Sequence, residues 1–151
     1  MSEPQRVLQS QLALVTGASR GIGRAIALRL GGAGATVIGT ATSQEGAERI
    51  SGQLHAAGIP GRGAVWSATG ASAAEELIAA LQEAEGLPTI LVNNAGIAHD
   101  ALILRMKSEE WEQTLSVNLS SVFRLTKLCL RRMLKERQGR IINIGSVVGS
   151  I

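Results

Sequence analysis

The sequence contains no tyrosine, one phenylalanine and two tryptophans in 151 residues. Its core must therefore be aliphatic, built from Ala, Val, Ile and Leu. The scarcity of aromatics also removes the platforms on which single-stranded nucleic acids stack. No helix-turn-helix or zinc-finger pattern replaces them. Cysteine is almost as scarce. With Cys129 alone, a disulfide framework is impossible and a zinc site is not expected. Its neighbours Leu128, Leu130 and Met133 mark it as a packed thiol. No run reaches the ~20 apolar residues of a membrane span, and Met1 to Gln11 has no apolar core of a signal peptide. These absences predict a cytoplasmic chain. The three prolines, Pro4, Pro60 and Pro88, fall outside every helix and strand expected below.

What is present is 45% hydrophobic residues and 18 glycines without a repeat, in a length that suits one domain. Short apolar runs alternate with amphipathic segments. Strands are expected at Leu12–Thr16, Thr36–Thr40, Gly63–Ser67, Thr89–Asn93 and Arg140–Ile144. Helices are expected at Gly21–Gly32, Gln44–Ala57 and Ala73–Glu85. Glu109–Glu136 reads as one long helix or a broken pair. The first helix would present Ile22, Ala25, Ile26, Leu28 and Leu30 to the core. Such alternation predicts an α/β fold: a Rossmann-type, doubly wound parallel sheet with five strands.

The most informative segment is Thr16-Gly17-Ala18-Ser19-Arg20-Gly21-Ile22-Gly23, between the first strand and the first helix. Glycines there allow positive φ and close backbone approach, and the helix end suits a pyrophosphate. The second strand then bears on which dinucleotide fits. An acidic residue about 20 positions on holds the ribose hydroxyl of NAD. Here no Asp or Glu occurs between Gly17 and Glu45, and the strand ends Gly39-Thr-Ala-Thr-Ser43. Arg20 and two or three hydroxyls suit a 2′-phosphate, and hence NADPH. The alternative for Arg20 is an ordinary surface residue.

Basic residues crowd one stretch: Arg124, Lys127, Arg131, Arg132, Lys135, Arg137 and Arg140, opposed by Glu136 alone. They form either a solvated helix face or a dock for an acidic partner. On the same helix, Trp111, Leu115, Leu119, Val122, Cys129 and Met133 form an apolar stripe. Phe123, Leu125, Leu128 and Leu130 widen it, so packing on two sides is expected.

These motifs together resemble the short-chain dehydrogenase/reductase family. The glycine loop is similar to its cofactor loop, and Asn93-Asn94-Ala95-Gly96 to the motif that ends its fourth strand. Asn118, in Ser116-Val-Asn-Leu119, matches its helix asparagine. Ser146, in Ile142-Asn-Ile-Gly-Ser146, matches its catalytic serine. A narrower similarity, in Val37–Ser43, Leu104–Lys107, Asn118–Arg124 and Gly145–Gly149, is to the bacterial 3-oxoacyl-[acyl-carrier-protein] reductases of fatty acid biosynthesis. Acetoacetyl-coenzyme A reductases of the same family are the near alternative. A non-catalytic dinucleotide-binding piece is the alternative of another class.

The resemblance implies NADPH held by Gly17, Ala18, Ser19, Arg20, Gly21, Ile22, Gly23, Thr42, Ser67, Ala68, Asn94, Ala95 and Gly96. It implies catalytic roles for Ser146, toward the substrate carbonyl, and for Asn118, holding a water in a proton relay. Each has a plainer alternative: Ser146 as a turn residue, Asn118 as a helix-kink residue, Asn94 as a bridge between strands. Arg137, within the basic segment 124–140, would help dock the acidic acyl carrier protein. The helix 109–136 would make dimer and tetramer contacts.

The sequence also departs from the family. The family's Tyr-x-x-x-Lys lies beyond the serine, whereas these residues stop at Ile151 without any Tyr. The expectation is a single domain over 1–151, incomplete at its C-terminal side and opened by a polar lead over 1–10. Lacking the sixth and seventh strands, it is expected to be inactive and poorly folded alone, its fifth strand an open edge. The third strand offers Trp66-Ser67-Ala68 to adenine, without an acidic or amide residue. After the Asn-Asn-Ala-Gly motif comes Ala98-His99-Asp100-Ala101, where His99 reads as an exposed loop residue.

Overall fold

The computed structural model describes residues 6–70 and 72–147. Five parallel strands form one sheet in the order β3-β2-β1-β4-β5: β1 (Leu12–Val15), β2 (Thr36–Ala41), β3 (Gly61–Val65), β4 (Ile90–Asn93) and β5 (Arg140–Asn143). The helices between them are α1 (Gly21–Gly32), α2 (Gln44–Ala56), α3 (Ala73–Ala84), α4 (Ser108–Leu115) and α5 (Ser121–Glu136). This is the doubly wound α/β layout expected from the alternation of apolar runs and amphipathic segments.

Side chains on a strand alternate between faces, and β1 sorts its residues accordingly. Ala13 and Val15 join Val37, Ile50, Leu54 and Val92 in one cluster, which includes residues of α1 and α2. Leu12 and Leu14 join Ile38, Leu91, Leu77, Leu81, Leu125 and Cys129 in the other, which includes residues of α3 and α5. The central strands β1 and β4 are buried throughout and read as continuous apolar runs. The outer strands β3 and β5 are not: neither contains a fully buried residue.

β3 runs two residues earlier than the sequence pattern suggested. It begins at Gly61, and Trp66 and Ser67 lie beyond its end. The glycines that weakened it as a strand are there for packing. A Cβ at Gly61 would stand 1.9 Å from the Val37 carbonyl oxygen, and one at Gly63 would stand 1.9 Å from that of Ala47. Only hydrogen fits between β3 and its neighbours at these two points. Trp66 turns its indole into the core, where Nε1 is buried without a hydrogen-bond partner.

Two helix faces also differ from expectation. α1 buries Gly23, Ala27 and Gly31, while Ile22 is 62% exposed. Small residues win because the helix lies close to its neighbours: a Cβ on Gly31 would meet Ile59 at 2.3 Å. The long helical segment is broken by a π turn at Ser116–Ser120, where Ser121 N–H donates to the Ser116 carbonyl, five residues back. The buried line is Val117, Ser121, Leu125, Cys129 and Met133, spaced by four. Trp111, Leu115 and Leu119 of the expected stripe are exposed instead, as are Phe123, Leu130 and Leu134. The extra residue in the π turn shifts the phase between α4 and α5, so one continuous helical period misplaces the stripe.

Of the N-terminal lead, residues 1–5 lie outside the described residues. Leu8 packs partly against the α1/α2 cluster, and its N–H donates to the Ala33 carbonyl at 2.9 Å.

Candidate functional site

β1 has β2 on one side and β4 on the other, and the chain leaves these strands toward opposite helical layers. Such a switch point opens a crevice at the carboxyl ends of the strands. The loop after β1 fills its floor. Thr16 is buried, and its hydroxyl joins the two halves of the sheet. Oγ1 accepts from the N–H groups of Asn94 (3.0 Å) and Ala95 (2.9 Å) and donates to the Val92 carbonyl. The Asn94 side chain answers from the other strand. Its Nδ2 donates to the carbonyls of Thr16 (3.0 Å) and Gly17 (3.1 Å). Asn94 thus ties the end of β4 to the loop after β1 and shapes that loop.

The glycines divide the work. Gly17 (φ +65°) and Gly21 (φ +55°) adopt the left-handed region that an L side chain resists. A Cβ on Gly21 would meet nothing within 4 Å, so its backbone faces open space. Gly23 is different: a Cβ there would lie 2.1 Å from the Gly17 carbonyl oxygen. It lets the helix close onto the loop. α1 begins at Gly21 with no side-chain cap and no acidic residue in its first turn. Its end offers unpaired N–H groups and partial positive charge in front of a glycine cradle, which is what a pyrophosphate requires. Ala18 is buried and packs under Gly39, whose own Cβ would meet it at 2.8 Å. Ser19 is half-buried and Arg20 is exposed.

Thr40, Thr42 and Ser43, the hydroxyls at the end of β2 and just beyond it, are not equivalent. Thr40 is buried, and its Oγ1 accepts from the Gly17 N–H at 3.2 Å. Ser43 caps α2, its Oγ accepting from the Gly46 N–H at 3.1 Å. Thr42 is exposed, as is Ser43, whose hydroxyl keeps its own proton to donate. After β3, Ser67 is exposed with its hydroxyl on that of Thr69 at 2.9 Å, and Ala68 is buried.

The segment after β4 carries the second half of the site. Asn118, inside the π turn, holds this segment by both ends of its amide. Oδ1 accepts from the Ile97 N–H at 2.9 Å, and Nδ2 donates to the Ile97 carbonyl at 2.8 Å. Gly96 lies beneath it, where a Cβ would come within 3.2 Å of Asn118 Oδ1. Ser146 stands three residues beyond the end of β5 and is exposed. The fold thus places the glycine loop, Thr42, Asn94–Gly96, Asn118 and Ser146 at the same end of the sheet. Of the 145–149 stretch singled out in the sequence, Val148 and Gly149 lie outside the described residues.

Arg137 is not at this end. It closes α5 in the left-handed conformation (φ 51°), just before β5 begins. The 16 residues of α5 rise about 24 Å, which carries Arg137 toward the opposite end of the sheet. The basic stretch divides as well. Arg124 donates to the Gly70 carbonyl, while Arg132 donates to the Leu87 carbonyl and pairs with Glu136. These two clamp the flanks of α3. Lys127, Arg131, Lys135 and Arg137 are exposed. His99 lies in the loop after β4, partly exposed, its ring nitrogen 3.1 Å from Gln113 Oε1. Burial pushes the Cys129 thiol up to about 12, which keeps it protonated and inert.

Thr16, Thr40 and Asn93 organise the site, whereas sequence reasoning quoted Thr16 and Asn93 without a task and counted the Thr40 hydroxyl toward a phosphate. A threonine ending a buried apolar run beside a glycine turn is the signal that could have marked the first two.

The short chain dehydrogenase family model matches residues 11–151. Among similar proteins, 3-oxoacyl-[acyl-carrier-protein] reductase FabG of Pseudomonas aeruginosa is 54% identical over 144 residues. The proteins of the same name from Escherichia coli and Haemophilus influenzae are 52% and 54% identical over 143 residues. Each alignment covers 95% of this chain, which spans 57–58% of the length of these relatives. With that match over nearly its whole length and the glycine loop it contains, the chain belongs to the short chain dehydrogenase family.

Proposed function

We propose that this chain forms the dinucleotide-binding part of a cytoplasmic, NADPH-dependent reductase of 3-oxoacyl-[acyl-carrier-protein]. The observation that supports it best is the uncapped N-terminus of α1 behind a glycine cradle, with no acidic residue in the helix's first turn and with Arg20 and Thr42 exposed. Among the described residues, no helix is long and apolar enough to cross a membrane.

Gly17–Gly23 hold the pyrophosphate through backbone N–H groups, and Arg20 and Thr42 hold the 2′-phosphate. Ser67 and Ala68 flank the adenine, and Asn94–Gly96 line the path toward the reacting end. When bound, NADPH supplies the hydride that reduces the 3-oxo group. Ser146 donates a hydrogen bond to that carbonyl oxygen as negative charge develops on it. Asn118 fixes the 94–97 segment and spends its remaining amide capacity on a water of the proton relay. Arg137 and its exposed basic neighbours dock the acidic carrier protein. A second copy of the chain covers Leu119, Phe123, Leu130 and Leu134.

Cofactor titrations and turnover of the full-length protein test this reading. NADPH should bind at least about tenfold more tightly than NADH, the worth of one charge-assisted contact to the 2′-phosphate. Equal affinities would sink the cofactor assignment. Arg137→Glu should impair turnover of carrier-bound thioesters and spare coenzyme A thioesters. Equal loss on both would remove the docking role and favour a coenzyme A substrate.

A further inference from the structure

The π turn that carries Asn118 breaks a backbone bond, and one side chain makes up for it. In a regular α-helix the Ser121 N–H would donate to the Val117 carbonyl, four residues back. In the π turn it donates to the Ser116 carbonyl instead. The Val117 carbonyl thereby loses its regular partner at a residue only 7% exposed, where an unpaired acceptor is costly. The Ser121 hydroxyl takes the vacated place and donates to that carbonyl at 2.7 Å.

Packing alone does not call for a hydroxyl at this position. Ser121 belongs to the buried line Val117, Ser121, Leu125, Cys129 and Met133, in which the other members are apolar side chains and a thiol. Alanine or a second cysteine would fill the same space, and alanine is the better helix former. What distinguishes serine is a donor that reaches the carbonyl one turn back.

The bond matters because of what the turn holds. Asn118 follows Val117 directly, and its amide grips Ile97 through Oδ1 at 2.9 Å and Nδ2 at 2.8 Å. Two bonds to one residue of a neighbouring segment admit a narrow range of azimuth. If the helix regained its α bond between Ser121 and Val117, Asn118 would wind about the axis and off Ile97.

We infer that Ser121 is a positioning residue for Asn118: its hydroxyl replaces the lost backbone donor and holds the helix in the π form. The inference rests on the reading of Asn118 in the proton relay given above, and Ser121 acts through it.

The test removes the hydroxyl and then restores it. In the full-length protein, Ser121→Ala should lower kcat about tenfold, as expected of a misplaced relay group, with KM for NADPH within about twofold. Ser121→Thr keeps a hydroxyl that can bond the same carbonyl, and should hold kcat within about twofold of the unaltered protein. Both are assayed well below their melting temperatures, so that lost stability alone does not lower kcat. An unchanged kcat in Ser121→Ala, or equal loss in both variants, overturns the inference. If the unaltered protein reduces no 3-oxoacyl thioester, the relay reading fails, and amide exchange then decides the lock separately. Ser121→Ala should speed exchange about tenfold at Ile97, whose N–H donates to Asn118, and leave Asn94 and Ala95, which donate to Thr16, unchanged. Unchanged exchange at Ile97, or an equal rise at all three residues, would remove the lock itself.

Discussion

At the carboxyl edge of this sheet, the loop after β1 and the segment after β5 are held in opposite ways. The loop after β1 is tied to β2 through Thr40 and to the end of β4 through the Thr16–Asn94 bonds, and there is no room for a side chain at Gly23. The segment after β5 is tied to the end of β4, where Asn93 bonds Asn143 through its side chain and Ile144 through its carbonyl. A phosphate cradle gains from rigidity, because its donors must converge before the ligand arrives.

The contrast can be tested most severely with one substitution made at both ends. Gly23→Ala should cost about 3 kcal/mol in urea denaturation, since its Cβ would stand 2.1 Å from backbone oxygen. Gly145→Ala, in open space, should change stability by about 0.5 kcal/mol or less. Comparable losses at both sites would erase the distinction. Next in size, Thr16→Val keeps shape but strips the acceptor from the Asn94 and Ala95 N–H groups, and should cost about 2 kcal/mol.

Arg20→Ala should leave stability unchanged while weakening NADPH binding about tenfold and NADH binding hardly at all. Isothermal titration with both cofactors would read that split, and parallel losses would mean Arg20 acts on the loop instead.

A further test concerns the core beneath both ends, and its effect is confined to alkaline pH. The Cys129 thiol is raised from 9.0 to about 12, so unfolded chains release its proton first. Its contribution to stability is whole below pH 9.0 and falls as the pH rises toward 12, by at most about 1.4 kcal/mol per unit. Cys129→Ala should remove that part of the alkaline slope; an unaltered slope would place the thiol in contact with water.

Much of this was legible from residue order, because the parallel sheet writes its central strands as apolar runs and its phosphate loop as spaced glycines. β1 and β4 were placed within a residue of their ends for that reason. The outer strand β3 was displaced because Gly61, next to Pro60, looks like a loop residue, while the reason for glycine at 61 and 63 lies in carbonyls of β2 and α2. The buried face of α1 was misread for a related cause. Periodicity weights large apolar side chains, whereas a close helix contact selects Gly23, Ala27 and Gly31. Asn93 was quoted as part of a motif but given no task, since its partners Thr126 and Asn143 are 33 and 50 residues away.

The π turn at Ser116–Ser120 makes chain length itself a carrier of geometry. A helical residue advances the azimuth by about 100°. Deleting one residue there would restore a regular helix and rotate α4 by that angle about the axis of α5. Asn118 would swing off Ile97, and every side chain of α4 would face a new quarter of the molecule. Insertions and deletions are ordinarily absorbed by surface segments, but this stretch of helix has a residue count that cannot drift by one without unmaking the site.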